Sequence, residues 1–188
     1  MPPGKRITKE DIITAAFNLV RSEGIAALNA RNVAKSLSCS TQPIFSEFQS
    51  MDRLKQEIVQ RAGMYYLNYL NRLTATDDYL FSFGMTFIEF SLNERNLYQL
   101  IFMSGQLNEF KILESCDENI AHVNHIARQY QLNRPNAEKV FIQLTLYIQG
   151  IASVLYANND AFRADGEIRE YLKEACTGFL MTYREETL

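Results

Sequence analysis

The stretch of residues 28–54, LNARNVAKSLSCSTQPIFSEFQSMDRL, restricts the fold of this chain more than any other. Its pattern predicts a short helix, a four-residue corner and a second short helix, which the aromatic pair Phe45 and Phe48 closes. Small polar side chains stand at the start of the second helix, and a compact pair of this kind fits the major groove of DNA. We therefore expect residues 1–50, the head, to form a helix-turn-helix DNA-binding domain. The alternative is a helical hairpin in a protein core, without a role in DNA binding.

Start and stop signals for helices surround this pair. Thr8 heads a capping-box pattern, so the first helix is expected to begin there and to end at Gly24. Asn29 is the expected N-cap of the second helix, and Ser40 that of the third. Pro43 lies in the first turn of the third helix. Backbone N–H groups there have no intrahelical partner, so the proline costs the helix no hydrogen bond. The pattern thus predicts three helices in the head.

The remaining chain is also predicted to be helical, because no stretch alternates between polar and apolar residues as a strand would. An all-α fold of about nine helices is expected. After the head, the pattern predicts helices from 51 to the low seventies, from 77–78 to a break at 93–96, over 97–102, and over 109–131, 136–158 and 166–184.

The composition fits a cytoplasmic globular protein. Apolar residues make up 47% of the 188 and charged residues 22%, which excludes a disordered chain. The start of the chain lacks the pattern of a secretory signal. The apolar run 140–156 is short for a membrane span and is interrupted by polar residues, so it predicts a buried helix. Three scattered cysteines favour a reducing compartment over a disulfide framework.

The net charge of −3 is unevenly distributed. Residues 1–62 hold nine lysines and arginines against six acidic residues, whereas residues 63–188 hold ten against sixteen. A basic N-terminal part on an acidic body is typical of a DNA-binding protein with a separate sensing or assembly domain.

A family resemblance follows from five segments in the first 54 residues. Gly24 is followed by NARNVA at 29–34, SCS at 38–40, FSEF at 45–48 and MDRL at 51–54. In order and spacing these resemble the T-x-R-x-[IV]-A, G-V-S, Y-x-x-F and K-x-x-L segments of the TetR family, the tetracycline-repressor-like bacterial transcriptional regulators. The resemblance implies an all-α protein whose residues 51–188 bind an effector and dimerise.

Four departures from the family pattern concern the DNA surface. Ser38 replaces the corner glycine, so a left-handed backbone there would be strained. Phe45 lacks the hydroxyl of the family's tyrosine, and Met51 lacks the charge of its lysine. Glu47 adds a negative charge near the DNA backbone. Together these predict fewer phosphate contacts and a shallower salt dependence than is usual in the family.

The start of the third helix supplies the expected base contacts. Gln42 can bond adenine and Thr41 can meet a thymine methyl. Arg31 can reach a guanine or a phosphate, unless it is only an exposed solubilising charge. Asn29 and Lys55 would hold the DNA backbone. The full set of predicted DNA-binding residues is Asn29, Arg31, Ser40, Thr41, Gln42, Pro43, Phe45, Ser46 and Lys55.

The last two long helices are the expected dimer interface. The helix over 136–158 is apolar on most sides, so a second surface besides its own domain is expected to cover it. The final helix carries one apolar stripe and could complete a four-helix interface between two subunits. The predicted interface residues are Phe141, Leu144, Ile148, Ile151, Leu155, Leu172, Phe179, Leu180 and Tyr183.

A cavity for an apolar or aromatic ligand is expected in the body, mainly because the resemblance implies one. Its predicted lining is Phe83, Phe87, Phe90, Phe102, Met103, Phe110, Gln143 and Tyr147. The alternative for each aromatic residue is an ordinary place in the core.

No catalytic constellation, phosphate loop or cofactor motif stands out, so an enzyme is not expected and neither is a cofactor. His122 and His125 lack a third ligand at suitable spacing, which disfavours a metal site. Cys39 lies in the DNA-binding corner, where a structural role is the commoner one. The predicted function is a cytoplasmic homodimeric repressor that a small molecule releases from a palindromic operator. The alternative is a similar DNA-binding protein without an effector, controlled by a partner protein or acting architecturally.

Overall fold

The computed structural model describes residues 7–70, 78–104, 117–158 and 165–184. Within these ranges the chain forms nine α-helices, one 3-10 turn at Ile25–Ala27 and one π-helical segment at Gln99–Met103, with no strand. The α-helices are α1 (Lys9–Glu23), α2 (Ala30–Ser36), α3 (Gln42–Phe48), α4 (Met51–Leu70), α5 (Tyr79–Asn93), α6 (Arg95–Tyr98), α7 (Asp117–Tyr130), α8 (Arg134–Ala157) and α9 (Asp165–Arg184). The all-α expectation is therefore confirmed.

The helices pack into two compact units. The first combines Met1–Leu67 with Glu94–Phe110, and the second combines Asn68–Asn93 with Lys111–Leu188. The first unit therefore contains the head together with α6, although some forty residues separate them in the chain. These units describe packing, and the functional boundary at residue 50 stays a prediction.

The predicted limits of α1 are confirmed. The Asp11 backbone N–H donates to Thr8 Oγ1 at 3.1 Å, and the Thr8 N–H donates to Asp11 Oδ2 at 2.9 Å, which completes the capping box. Gly24 ends the helix with φ at 84°, a conformation that favours glycine. One face of α1 is buried, at Ile12, Ile13, Ala16, Phe17 and Val20.

The corner between α2 and α3 is a Schellman turn. The Cys39 N–H donates to the Ala34 carbonyl at 3.0 Å, and the Ser38 N–H donates to the Lys35 carbonyl at 3.1 Å. Ser38 has a φ of 52°, so the strain expected from a serine at this position is present.

The two helices of the motif differ in how they are capped. Asn29 caps α2 as predicted, because its Oδ1 accepts the Asn32 N–H at 2.9 Å. The prediction that Ser40 caps α3 is wrong: Thr41 is the N-cap, and it makes no side-chain cap bond. Thr41 already has helical backbone angles, so its hydroxyl is not placed to bond the first turn. Pro43 lies in that first turn, as expected.

The second unit is built around α8, which packs against α5, α7 and α9. Asn133 caps α8 through the Asn136 N–H at 2.9 Å, so the helix begins at Arg134, two residues before the predicted start at 136. Gly84 of α5 allows a close approach, because a Cβ there would lie 2.8 Å from Leu172 Cδ2 of α9. By length and composition alone α8 could cross a membrane, but core helices of globular proteins pass the same test.

Candidate functional site

Helix α3 presents one face to solvent and buries the other. Ile44 and Phe48 are buried in the first unit, whereas Phe45 leaves 46% of its surface exposed. Gln42 and Ser46 are exposed beside Phe45, since residues three and four apart share a helix face. An aromatic ring held outward between small polar groups is suited to contact with base edges and methyl groups in a major groove.

The other predicted DNA-binding residues lie on the same unit. Arg31 and Ser40 are exposed, while Thr41, Pro43 and Lys55 are half-buried. The exposed Asn29 is partly committed to the fold: its Oδ1 caps α2 and its Nδ2 donates to the Ala27 carbonyl at 3.3 Å. A role in holding the end of α2 against DNA is compatible with this, since a capping residue stays at the surface.

Two exposed ion pairs join α1 to α4. Lys9 Nζ lies 2.9 Å from Glu57 Oε1, and Arg61 Nη1 lies 2.6 Å from Glu10 Oε1. Water screens such pairs, so each is worth at most about 1 kcal/mol.

In a third pair, at the other end of α1, the carboxylate of Glu94 is buried while the Arg21 side chain is 45% exposed. Glu94 exposes only 7% of its surface, and its Oε2 accepts the Arg21 Nε–H at 2.7 Å while Oε1 accepts from Arg21 Nη2. The Tyr65 hydroxyl of α4 also donates to Glu94 Oε1, at 2.8 Å. The hydrogen bond with Glu94 raises the pKa of Arg21, against the opposing effect of desolvation. We call Arg21, Tyr65 and Glu94 the clamp.

The sequence analysis missed the clamp. Residues 93–96 were interpreted only as a break between helices, because asparagines flank Glu94 there. The available signal was weak: a carboxylate among polar residues, shortly before the largely apolar segment 97–103. Its partners lie 73 and 29 residues away in the chain, and periodicity does not relate them.

The predicted effector residues of α5 are buried in the second unit, two of them against other rings. Phe83 lies edge-on to Phe141 of α8, with 5.7 Å between ring centroids. Phe90 packs edge-on against Tyr69 at 5.3 Å, and Phe87 is almost fully buried. These three phenylalanines of α5 are therefore core residues of this unit.

The predicted polar lining faces another helix. Gln143 Nε2 donates to the Tyr183 hydroxyl of α9 at 3.0 Å, and its Oε1 is buried without a hydrogen-bond partner in the described structure. The Tyr147 ring lies edge-on to Phe179 of α9, at 6.1 Å. These two residues thus belong to the α8–α9 contact rather than to the Phe83 cluster.

The last three predicted lining residues are not in the second unit's described core. Phe102 packs in the first unit, 5.1 Å from the Tyr66 ring, and Met103 is exposed. Phe110 lies outside the described residues. The described residues of the predicted lining therefore do not gather around one cavity within either unit.

The two histidines join the Phe83 cluster. His122 Nδ1 shares a hydrogen bond with the Tyr79 hydroxyl, and its ring stacks on Phe141. His125 stacks on Tyr79, with ring centroids 4.0 Å apart. Burial raises the pKa of Tyr79 to about 12. Among the described residues, no group of three or more His, Cys, Asp or Glu is placed to hold a metal ion.

Most of the predicted dimer-interface residues are covered within a single chain. Phe141, Leu144, Ile148, Ile151, Leu155 and Leu172 are buried in the core of the second unit. The sequence assigned them to an interface because α8 is apolar on most sides, but contacts with α5, α7 and α9 account for that burial. Phe179, Leu180 and Tyr183 of α9 remain partly exposed.

A different apolar set is exposed on the same two helices. Leu146 exposes 56% and Met181 63% of their surfaces, and Val154 and Tyr171 are each about half exposed. A Cβ added at Gly150 would meet no atom within 4 Å, so this part of α8 is open.

A groove of about 540 Å³ runs over the first unit, between α1 and the end of α2. Glu10, Asp11 and Glu23 make it acidic, and no predicted DNA-binding or effector residue lines it. It is separate from the predicted sites.

In comparison with known proteins, this fold is similar to those of two solved transcriptional regulators. A TetR variant from Acinetobacter baumannii AYE, solved with minocycline, superimposes with a TM-score of 0.64 and 14% identity. The superposition covers 95% of this chain and 99% of the variant. The chain has the TetR fold. A transcriptional regulator from Rhodococcus sp. Rha1 matches 96% of it, and 97% of that regulator is covered, with a TM-score of 0.53 and 14% identity.

The chain also has similarity in sequence to a curated protein. An uncharacterized HTH-type transcriptional regulator from Haemophilus influenzae is 24% identical over 178 residues, which cover 90% of this chain and 84% of the relative. No family model matches the chain. The similar proteins are regulators rather than enzymes, in agreement with the expectation for this TetR-like chain.

Proposed function

We propose that this TetR-like protein is a cytoplasmic transcriptional repressor that binds a palindromic operator as a homodimer. The outward face of α3 carries the proposal. Phe45, Gln42 and Ser46 are exposed there, while Ile44 and Phe48 anchor the helix in the first unit. A face held rigidly in this way can meet base edges at a fixed angle, which specific reading requires.

Selection of binding sites from random duplex DNA by the purified protein tests the function. We expect an enriched palindrome with half-sites about one helical turn apart. Repeating the measurement at two salt concentrations gives the dependence of the binding constant on salt, whose slope reports the number of phosphate contacts. Absence of any enriched site would contradict specific DNA reading.

Substitution of Gln42 by alanine tests the α3 surface itself. Loss of a bidentate contact to adenine should cost about 1–3 kcal/mol and relax specificity at one base position. Gln60→Ala is the matched control, because Gln60 is also an exposed glutamine but lies on α4, outside the α3 surface. Equal operator affinities of the two variants would exclude Gln42 as a base reader.

For the dimer, we infer that the exposed apolar face of α8 and α9 is the interface. Leu146 and Met181 are the most exposed of its apolar side chains, and Phe179 and Leu180 lie on the same helix as Met181. Large apolar groups left in water on neighbouring helices favour association with a like surface. Two DNA-reading heads in one particle would then match the symmetry of a palindrome.

Sedimentation velocity of Leu146→Glu measures this association. We expect a monomer, because two carboxylates would be buried against each other's apolar surroundings. Met64→Glu is the control, since Met64 of α4 is exposed to a similar extent, 59%, outside this face. A Leu146→Glu protein that remains dimeric would contradict the proposed face.

For release from DNA, we propose a small, largely apolar or aromatic effector. The support is the likeness to a TetR variant solved with minocycline. Minocycline is therefore the first probe in an operator-release assay, followed by a panel of planar apolar compounds.

The alternative, control by a partner protein or an architectural role, also has support. Phe83, Phe87 and Phe90, which were expected to line a cavity, are buried in their own unit, and Phe83 and Phe90 pack against other rings there. A protein that binds its operator but responds to no compound of the panel would favour this alternative.

A further inference from the structure

The clamp joins three helices at the end of α1. Glu94, immediately before α6, accepts hydrogen bonds from Arg21 of α1 and Tyr65 of α4. The Arg21 guanidinium lies over the Tyr65 ring, 5.1 Å from its centroid. Each member of the clamp therefore contacts both of the others.

A further bond holds the backbone of α1 at the same place. Asn96 Nδ2 of α6 donates to the Arg21 carbonyl at 2.9 Å. That carbonyl belongs to the last turn of α1, which lacks intrahelical donors. The side chain and the backbone of Arg21 are thus both held by residues at the start of α6.

The position of the clamp connects it to the DNA surface. Arg21 stands three residues before Gly24, and the chain then passes through a 3-10 turn into α2. Helices α2 and α3 both pack against α1. A tilt of the end of α1 would therefore tilt the helix-turn-helix motif with it.

The clamp is harder to open than an exposed ion pair. A carboxylate with 7% exposure is stable only while its hydrogen bonds are made, because an unpaired buried charge is costly. By contrast, the ion pairs at the start of α1 are exposed on both sides and can break with little effect. The end of α1 is therefore fixed more firmly than its beginning.

We propose that Glu94 is a positioning residue for DNA binding, which sets the angle of the helix-turn-helix motif by clamping Arg21 of α1 to Tyr65 of α4. In this role Glu94 does not contact DNA itself. It determines how precisely the two heads of the dimer match the two half-sites of the operator. The inference rests on the proposed dimeric DNA-binding function.

The test uses the full-length protein and the selected operator. Affinity is measured for that operator, for versions with one base pair added or removed between the half-sites, and for unrelated DNA. We expect Glu94→Gln to lower operator affinity about tenfold, a coupling of ordinary size. Its discrimination between correct and altered spacing should fall as well, while its affinity for unrelated DNA is unchanged.

The ratio of the affinities for correct and altered spacing distinguishes a positioning role from a simple loss of folded protein. A smaller folded fraction lowers the affinity for every DNA by the same factor, so the ratio between spacings would not change. Glu57→Gln is the matched control: it removes an exposed α1–α4 ion pair by the same chemical change, and its ratio should equal that of the original protein. Tyr65→Phe, which removes only one donor, provides the test if Glu94→Gln does not fold.

The outcomes are distinct. A reduced spacing ratio in Glu94→Gln or Tyr65→Phe, with Glu57→Gln unchanged, supports the positioning role. Unchanged ratios in Glu94→Gln and Tyr65→Phe, in a protein that does read an operator, would overturn the clamp and leave the proposed function standing. If the unmodified protein selects no operator, the proposed function fails first, and the role of Glu94 fails with it.

Discussion

Replacing Ser38 by glycine should make this protein more stable. Ser38 has a φ of 52°, which places its Cβ too close to the following backbone. The turn itself is well bonded, with Ser38 and Cys39 both donating into the last turn of α2. No hydrogen bond of the Ser38 side chain is found in the described structure, and the residue is exposed. The substitution therefore removes strain without removing a contact that the structure shows.

The expected gain is the difference between two opposing effects. A non-glycine residue in the left-handed region costs about 1–2 kcal/mol. Glycine offsets part of this gain, because a glycine loses more conformational entropy on folding, at a cost of about 0.4–1 kcal/mol. The net stabilisation should be about 0.5–1 kcal/mol. For a chain of this length that corresponds to a rise in Tm of roughly 1–4 °C.

Urea denaturation followed by circular dichroism measures the change, with the slope m as a check that only stability has changed. Gln131→Gly is a parallel case, because Gln131 has a φ of 56° where the chain leaves α7. Ser36→Gly is the opposite control: Ser36 is the last residue of α2 and its Oγ donates to the Val33 carbonyl at 2.8 Å, so glycine there should cost stability, about 0.5 kcal/mol from helix propensity alone.

The reasoning would be refuted by a Ser38→Gly protein that is no more stable than the original, while Ser36→Gly is destabilised as expected. In that case the serine at the corner would not be strained, and the left-handed turn would not need a glycine.

Three further predictions concern the second unit and its pH dependence. Leu172→Ala should lower the free energy of unfolding by about 3 kcal/mol, because it leaves a cavity beside Gly84, and a loss under 1 kcal/mol in urea titration would contradict the described packing. Ile148→Asp should give insoluble or unfolded protein rather than a folded monomer, since it buries an unpaired charge, and a folded monomer by sedimentation and circular dichroism would restore Ile148 to the interface. Burial raises the pKa of the Cys176 thiol and of the Tyr79 hydroxyl to about 12. Their contribution to the free energy of unfolding is therefore complete below the pKa values of the unfolded chain, near 9 and 10, and is lost as the pH rises towards 12. A free energy of unfolding that is constant from pH 8 to 11 would contradict this.

Local signals in the sequence determined the helices and most of their ends. The Thr8 capping box, the Gly24 stop and the Asn29 cap are each set by side chains within four residues, so their pattern is legible in the chain itself. The left-handed corner at Ser38 was likewise predictable from its register with a family glycine. Which residue caps α3 was not, because Thr41 and Ser40 are both suitable and the backbone angle decides between them.

Only the tertiary structure decided which apolar residues face another helix of the same chain. The apolar pattern of α8 does not distinguish Ile148 from Leu146. The packing of α5, α7 and α9 buries Ile148 and leaves Leu146 exposed. The same holds for the clamp, where Arg21 and Glu94 meet across 73 residues. Contacts of this kind depend on the angles at which helices cross, and those are set by the whole core rather than by any local stretch of sequence.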